Sequence, residues 1–212
     1  MVESKLLVPH FSYCDQLDAT RLIQLRENMK EEAAANGIKL TYMPFFIRAL
    51  SLAIDKFPAI NGSVSMLQKK LIIHKQQNMG LAMKTPLGLI APVLHRVDTL
   101  SLFDIIHAFD ALKTKALAGK LEPKDMKNST ITISNFGTLG GLWATPVINY
   151  PEIAILGVAK IRSQPVVKND AITIRPMLNI SWSFDHRVID GDAAAEFSNA
   201  FIALLENPAN LI

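Results

Sequence analysis

The chain of 212 residues contains a single cysteine and therefore cannot form an internal disulfide, which suits a reducing compartment. Cys14 lies in a strand-like run, and we interpret it as a half-buried structural thiol rather than a nucleophile. No apolar run approaches the roughly 18 residues of a membrane span, and the first residues lack the apolar core of a secretory signal. These absences predict a soluble intracellular protein without a membrane partner.

Charge is also sparse, since 19% of the residues are charged and the net charge is +3. Basic and aromatic residues do not interleave, and no zinc-finger or RNP pattern occurs, so nucleic acid is not expected as a partner. The lysines between positions 113 and 127 alternate with other residues and indicate a solvated face that could also receive a small anion. Half of the chain is hydrophobic, more than a small monomer needs, and part of this surplus is expected in subunit interfaces.

The order of the segments predicts a single α+β domain over residues 1–212, with a mixed sheet and helices packed on one side. Apolar residues recur at helical spacing in four segments, which are residues 18–36, 44–57, 102–118 and 192–206. Runs typical of strands occupy residues 5–17, 70–75, 79–84, 87–94, 129–134, 152–159 and 171–183. We expect the three runs between residues 70 and 94 to be consecutive antiparallel strands.

His186 lies between the last strand-like run and the last helix, a position where rigid elements hold a loop at both ends and where catalytic groups are often found. Asp190 follows four residues later, close enough to orient the ring or to hold the loop. With Asp185 and Asp192, it equally fits a cluster of acids at a helix N-terminus. The local pattern alone leaves His186 as either a general base or a hydrogen-bonded structural histidine.

Two other chemistries are disfavoured. There is no His-Glu-x-x-His, and the other four histidines are scattered over separate elements, so no metal site is predicted. Ser134 follows Thr132-Ile133 without the flanking glycines of a nucleophile elbow, which argues against a covalent serine mechanism. The glycines from Gly137 to Gly141 fit neither a dinucleotide fingerprint nor a phosphate loop, and they predict a turn after a strand.

Seven segments occur in the order and spacing of one known family, from about residue 7 to the end. They are Val8-Pro9-His10-Phe11, Leu25-Arg26-Glu27, Met43-Pro44-Phe45-Phe46, residues 88–93, residues 132–137, residues 145–149 and residues 186–191. Together they resemble the catalytic core of the dihydrolipoyl acyltransferases of 2-oxo acid dehydrogenase complexes, which share their fold with chloramphenicol acetyltransferase. Residues 11–15 and 37–40 look most like the branched-chain member.

The resemblance implies a chloramphenicol acetyltransferase-like two-layer sandwich that transfers an acyl group between dihydrolipoamide and coenzyme A. His186 matches the general base, Ser134 the donor to the tetrahedral oxyanion, and Asp190 the motif's aspartate, with an orienting or structural role. Four positions match family positions that touch coenzyme A, namely Arg26, Thr41, Ser134 and Asn135. A histidine suits this reaction because its pKa, near 6.5, lets it take the proton of a thiol whose pKa is near 8.5.

The resemblance also implies partners and a location, which is the cytoplasm or, in a eukaryote, the mitochondrial matrix. Family members form homotrimers that assemble into hollow cages, with His186 of one chain facing Ser134 of its neighbour, and they work with decarboxylase and dihydrolipoyl dehydrogenase components. The lipoyl group is carried on a lipoyl domain that this chain lacks, as it lacks a peripheral subunit-binding domain, so we expect a core cut from a longer protein. Lys84 departs from the branched-chain pattern, which has an acid there. The alternatives are a free-standing chloramphenicol-type acetyltransferase and a non-catalytic scaffold paralogue, against which the intact His186 and Asp190 argue.

Overall fold

The computed structural model describes residues 1–65, 68–86 and 88–212, which fold into a layer of helices on a mixed β-sheet. The helices are α1 (Val2–Leu7), α2 (Thr20–Ala35), α3 (Met43–Lys56), α4 (Leu102–Leu117) and α5 (Gly191–Glu206). The strands are β1 (His10–Asp18), β2 (Gly62–Ser65), β3 (Lys70–Ile73), β4 (Met79–Thr85), β5 (Gly88–Ile90), β6 (Val93–Leu94), β7 (Ile131–Asn135), β8 (Ala154–Val158), β9 (Arg162–Lys168) and β10 (Ala171–Asp185). Among these residues, no helix is long and apolar enough to cross a membrane.

Strand direction in the main sheet decides where the loops emerge. The order is β1-β10-β8-β7-β4-β5, with β6 beside β4 and β9 beside β10. The central strands β4, β7 and β8 run parallel, whereas β10 runs antiparallel to β8 and to β1. The carboxyl ends of β4 and β7 therefore lie at one edge of the sheet, and the carboxyl end of β10 lies at the opposite edge.

The core lies between one face of the sheet and the helices. Alternate residues of the strands point to this face, so Ile133, Leu156 and Trp182 are completely buried. The indole of Trp182 packs edge-on against Phe197 of α5, and its N–H donates to the hydroxyl of Ser198 at 3.1 Å. Helices α2 to α5 are held on the sheet by this apolar contact, since nearly all of their buried apolar residues belong to the same cluster.

The other face of the sheet is polar and is covered by irregular chain. Ser181 and Ser183 are buried there. The hydroxyl of Ser181 accepts a hydrogen bond from Ala144 N at 3.3 Å, and the side-chain amide of Asn179 donates to Leu142 O at 3.1 Å. The loop after β7 is thus fastened across the face that the helices leave open.

The four predicted helices are confirmed to within two residues at each end, and α4 begins with a capping box between Ser101 and Asp104. The extended run predicted over residues 5–17 is wrong at its start, because residues 5–7 belong to α1, where Ser4 donates to Ile148 O. Of the three consecutive antiparallel strands predicted between residues 70 and 94, β4 does pair antiparallel with β5 and β6, but β3 does not pair with β4. Instead, β3 pairs with β2, which the sequence did not indicate.

Other local expectations are corrected by the structure. Residue 87, the predicted start of a strand, lies outside the described residues, and the rest of that run forms the two short strands β5 and β6. The strand β9 was not predicted, and it pairs with the first half of β10. Cys14 was expected to be half-buried, but it is exposed, because its position on β1 points away from the core.

Candidate active site

A cavity of about 440 Å³ lies at the sheet edge where β4 and β7 end. Such an edge, at the carboxyl ends of parallel strands, is a frequent position for ligand sites. Three of the four positions expected to touch coenzyme A, Thr41, Ser134 and Asn135, line this cavity. The structure therefore brings together residues that are up to 94 positions apart in the chain.

The turn after β7 fixes the backbone beside Ser134. The side-chain oxygen of Asn135 accepts a hydrogen bond from Gly137 N at 3.0 Å, and Gly137 must be a glycine because a Cβ atom there would lie 2.4 Å from Ala159 O. The hydroxyl of Ser134 makes no hydrogen bond to another described residue. It is therefore free to donate to a ligand in the cavity.

The lining of this cavity combines apolar side chains with two cations. Leu81, Met83 and Phe109 supply apolar surface, and Lys84 and Lys113 supply the charge. Neither ammonium group has a hydrogen-bond or salt-bridge partner within the part of the chain that the structure describes, and no described acid lines the cavity. The cavity therefore suits a ligand with a partly apolar body and anionic groups.

Arg26, the fourth expected contact, is not among the residues that line the cavity. Its Nε and Nη2 donate to Leu40 O at 3.0 and 2.9 Å, and its guanidinium lies 5.0 Å from the centre of the Tyr42 ring. Arg26 thus supports the segment that carries Thr41. Its contact with coenzyme A stays a prediction.

His186 lies in the loop between β10 and α5, and half of its side chain is exposed. Its backbone N–H donates to Pro9 O at 3.0 Å, and its ring centre is 4.5 Å from that of Phe11. The Oδ1 atom of Asp190 is 3.7 Å from Nδ1 of His186, too long for a hydrogen bond but within ion-pair distance once the ring is protonated. Asp190 also stands at the N-cap of α5 and accepts no capping hydrogen bond through its side chain.

The loop around His186 is held by Asp185, whose role the sequence did not reveal. Its carboxylate is fully buried and accepts from Arg187 Nε at 2.9 and 3.1 Å and from Arg187 Nη2 at 2.5 Å, a pairing that raises the pKa of Arg187. Its backbone oxygen accepts from Val188 and Ile189. Asp185 is therefore a buried anchor for the loop and not an exposed acid at a helix start; the adjacent Asp-His-Arg order was the available signal.

Ser134 and His186 of one chain cannot act on the same atom. In the sheet register, Ser134 is opposite Gly157, and Gly157 is opposite Ser181, which lies five residues before His186. At about 3.3 Å per residue and about 4.8 Å per strand, the two residues are about 19 Å apart. A general base and an oxyanion donor must each lie about 3 Å from the reacting centre. A single chain therefore carries the two groups at opposite edges.

Glu152, which sequence reasoning missed, is buried near the His186 loop. Its Oε1 accepts from Ser129 at 2.5 Å, from Thr132 at 2.9 Å and from Asn149 at 2.9 Å, while its buried Oε2 has no partner among the described residues. Burial is the main cause that raises the pKa of Glu152 to about 7. The backbone oxygen of the next residue, Ile153, accepts a hydrogen bond from Asp185 N at 2.9 Å. The segment that carries Glu152 is therefore bonded directly to the start of the His186 loop.

No group of three histidine, cysteine, aspartate or glutamate side chains close enough to hold a metal ion occurs within residues 1–65, 68–86 and 88–212. The candidate site consists instead of the half-exposed imidazole of His186 at one edge of the sheet and the hydroxyl of Ser134, beside a cationic cavity, at the other. These groups are suited to proton transfer and to hydrogen-bond donation.

The fold defines the class of the protein. A solved chloramphenicol acetyltransferase superimposes with a TM-score of 0.60 at 13% identity, over 93% of this chain and 89% of that one. At this identity the likeness concerns the fold alone. It confirms the expected α+β two-layer sandwich of the chloramphenicol acetyltransferase type.

The family is defined by closer matches. Residues 1–212 match the family model of the 2-oxoacid dehydrogenases acyltransferase (catalytic domain), and the chain belongs to this family. It is 43% identical to the dihydrolipoyllysine-residue acetyltransferase component of the pyruvate dehydrogenase complex of Bacillus subtilis, over 98% of this chain and 47% of that protein. It is 41% identical to the mouse mitochondrial lipoamide acyltransferase component of the branched-chain alpha-keto acid dehydrogenase complex, over 100% of this chain and 44% of that protein.

Solved structures agree with this assignment. The cubic core of a pyruvate dehydrogenase multienzyme complex superimposes with a TM-score of 0.95 at 38% identity, over 99% of this chain and 86% of that chain. The present chain spans about half the length of the curated relatives that it matches. The two relatives belong to different complexes but are nearly equal in identity, so these matches do not distinguish a branched-chain member from a pyruvate dehydrogenase member.

Replacing Glu152 with glutamine is expected to remove a pH dependence of stability. The pKa of Glu152 is raised from 4.5 to about 7 on folding, so the folded state binds the proton more tightly. The stability that this causes is complete below about pH 4.5 and is lost as the pH rises through about 7. A shift of this size corresponds to a free energy on the order of 3 kcal/mol. Urea unfolding between about pH 5 and pH 8 measures the effect.

The exposed Glu31 offers a matched control, because Glu31→Gln removes one carboxyl from the surface of α2. The difference in the free energy of unfolding between Glu152→Gln and the wild type should grow as the pH rises, whereas that of the control should stay constant. Parallel pH curves for the wild type and Glu152→Gln would contradict the raised pKa.

Proposed function

We propose that this chain transfers an acyl group between dihydrolipoamide and coenzyme A as the core of a 2-oxo acid dehydrogenase complex. His186 acts as the general base and Ser134 of a neighbouring copy as the oxyanion donor. The observation that carries the proposal is the placement of these groups at opposite edges of one sheet, about 19 Å apart by strand register. The site is completed when the edge of a second copy that carries Ser134 contacts the edge of the first copy that carries His186.

The chemistry follows from the two groups. The imidazole of His186 takes the thiol proton of coenzyme A as the sulfur attacks the thioester carbonyl of acyl-dihydrolipoamide, which is worth about 10²- to 10⁴-fold in rate. The carbonyl oxygen becomes an oxyanion and accepts a hydrogen bond from the Ser134 hydroxyl, worth about 3 kcal/mol for one well-placed donor. When the intermediate collapses, the carbon–sulfur bond to dihydrolipoamide breaks, and the imidazolium returns the proton to the leaving thiolate.

The cavity beside Ser134 supports coenzyme A as the ligand. Coenzyme A combines a slender pantetheine arm with phosphate groups, and the cavity combines apolar walls with the unpaired cations of Lys84 and Lys113. Thr41 and Asn135 add polar groups at its lining. The size of about 440 Å³ is within the usual range for small-molecule sites.

A homotrimeric unit within a larger hollow cage supplies the neighbouring copy in this proposal. The similarity to a cubic multienzyme core supports assembly. So do the apolar side chains of Val167, Ile172 and Ile174, each at least 75% exposed on the β9–β10 hairpin. The lipoyl group arrives on a domain outside this segment, and the decarboxylase and dihydrolipoyl dehydrogenase components are the further partners.

We further propose that the transferred acyl group is branched. This assignment is supported by residues 11–15 and 37–40, which look most like the branched-chain member, and by the 41% identity with the mouse branched-chain component. Lys84 does not follow the branched-chain pattern, although it lies in the cavity. The free-standing acetyltransferase is disfavoured, because its likeness is limited to 13% identity.

The central test uses two inactive variants. His186→Ala should leave assembly intact and lower kcat at least 100-fold, and Ser134→Ala should lower kcat about 100-fold with less effect on substrate binding. Chains of the two variants with different tags are then assembled together and purified through both tags. With equal mixing, about one site in four receives an intact histidine and an intact serine, so about a quarter of wild-type turnover should return.

A site contained within one chain predicts no recovery. Mixed assemblies of normal size that stay as inactive as the parent variants would therefore overturn the shared site. Light scattering verifies the size of each assembly, and His186→Ala assembled with a differently tagged copy of itself is the control for the mixing procedure. Near-normal turnover of His186→Ala alone would overturn the base.

Lys84→Met and Lys113→Met test the ligand of the cavity. If these lysines bind the phosphates, each should weaken the use of coenzyme A by about 0.7 kcal/mol, and the double variant should raise KM about tenfold. Pantetheine, which has no phosphate groups, should be used equally well by the wild type and the double variant. Lys70→Met, on β3 and outside the cavity, is the control. An equal loss with both thiols would show that the lysines do not act on phosphate.

The acyl preference is tested by assaying free dihydrolipoamide with a panel of acyl-CoA thioesters. The branched-chain proposal predicts that kcat/KM for isobutyryl- and isovaleryl-CoA exceeds that for acetyl-CoA, because a pocket sized for the branched group gains from the extra methyl groups, about 1 to 3 kcal/mol each. A preference for acetyl-CoA would contradict the branched-chain assignment and leave the acyl transfer itself intact.

A further inference from the structure

The aromatic ring of Phe11 is in direct contact with the ring of His186, with 4.5 Å between their centres and 47° between their planes. We infer that Phe11 is a positioning residue that holds the imidazole of His186 in the orientation needed for proton transfer. This inference rests on the proposed role of His186 as the base. Phe11 itself touches no reacting atom in this inference and acts through His186.

Phe11 belongs to a rigid part of the chain. It lies at the start of β1, where it pairs with Phe184 of β10, and the two rings are 5.5 Å apart. Phe184 is completely buried and packs against Trp182 and Phe197. The Phe11 ring therefore stands on the aromatic core, with its outer side against His186.

The side chain of His10 fixes the backbone just before Phe11. Its Nδ1 is 2.8 Å from Val8 O, and its Nε2 is 3.1 Å from Ile148 N. The carbonyl oxygen can only accept and the amide can only donate, so the ring is the neutral tautomer with its proton on Nδ1. Since Pro9 O also accepts from His186 N, one short segment supports the backbone and the ring of His186.

The ring of His186 has few polar contacts that would fix its orientation. Half of its side chain is exposed, and no hydrogen bond from its ring to another described residue is present. Asp190 Oδ1 lies 3.7 Å away and is itself 82% exposed, while the Asp185 carboxylate is engaged by Arg187. The contact with Phe11 is thus the aromatic contact of the imidazole, beside a distant and exposed carboxylate.

The contact can assist catalysis in two ways. It limits rotation of the imidazole, and small errors in the placement of a catalytic group lower the rate strongly. It also places an aromatic ring beside the group that becomes an imidazolium during the reaction, and cations near the faces of aromatic rings are stabilised. Both effects act on kcat, whereas a purely structural role of Phe11 would act on stability.

The experiment measures acyl transfer to coenzyme A by the assembled protein with Phe11→Leu and Phe11→Tyr. Phe11→Leu should lower kcat about tenfold and leave the KM for coenzyme A within about twofold, because the apolar volume is largely kept but the aromatic ring is lost. Phe11→Tyr keeps the ring and should stay within about threefold of the wild type. Phe11→Met serves as a second substitution if the leucine variant does not assemble.

Tyr13→Leu is the matched control, since Tyr13 lies two residues further on the same strand, on the same face and similarly half-buried. It should lower the melting temperature as Phe11→Leu does, without the loss in kcat. Equal kcat losses in the Tyr13 and Phe11 leucine variants would overturn the inference, because they would show a general effect of weakened packing.

The decisive comparison adds Phe11→Leu to His186→Ala. If Phe11 acts through His186, it should lower the residual turnover by no more than about twofold once the imidazole is gone. A further tenfold loss in that background, or wild-type kcat for Phe11→Leu in the intact protein, would overturn the positioning role. Full turnover of His186→Ala would instead overturn the proposed base, so the two failures are distinguishable.

Discussion

The direction of β10 in the mixed sheet is the constraint on which the site depends. Strand β10 runs antiparallel to β8, whereas β7 runs parallel to β8. The carboxyl end of β10 therefore lies at the edge of the sheet opposite to the carboxyl end of β7. His186 and Ser134 are therefore separated by the hydrogen-bond ladder itself. No movement of a side chain or a short loop can bring them together, since the sheet would have to be dismantled.

The local features of the fold were readable from the sequence because they depend on neighbouring residues. The helical spacing of α4 is contained in one segment, and so is the loop of His186 between a strand and a helix. The pairing of β3 with β2 and the existence of β9 were not readable, because both depend on partners elsewhere in the chain. The same reason explains Cys14, whose exposure depends on which face of β1 meets the core.

The residues of the candidate site divide in the same way. His186, Ser134 and Asn135 were found through motifs, and Thr41 reached the cavity as expected. Glu152 lies outside the segments that resemble the family, and Phe11 lies within one of them, which did not indicate its contact with His186. Their importance arises from contacts between residues far apart in the chain, Glu152 with Thr132 and Phe11 with His186. Such contacts depend on how the strands pair and not on spacing along the chain.

The separation of the two groups also limits how copies can assemble. His186 and the cavity beside Ser134 lie on different surfaces of the chain. In the proposed site, the surface of one copy that carries His186 therefore contacts the surface of its neighbour that carries the cavity. Contacts between unlike surfaces either close into a ring or continue as an open filament. In an open row, the terminal chains keep one unmatched His186 and one unmatched Ser134. A closed ring completes every site, and the trimer proposed for this chain is a small ring of that kind.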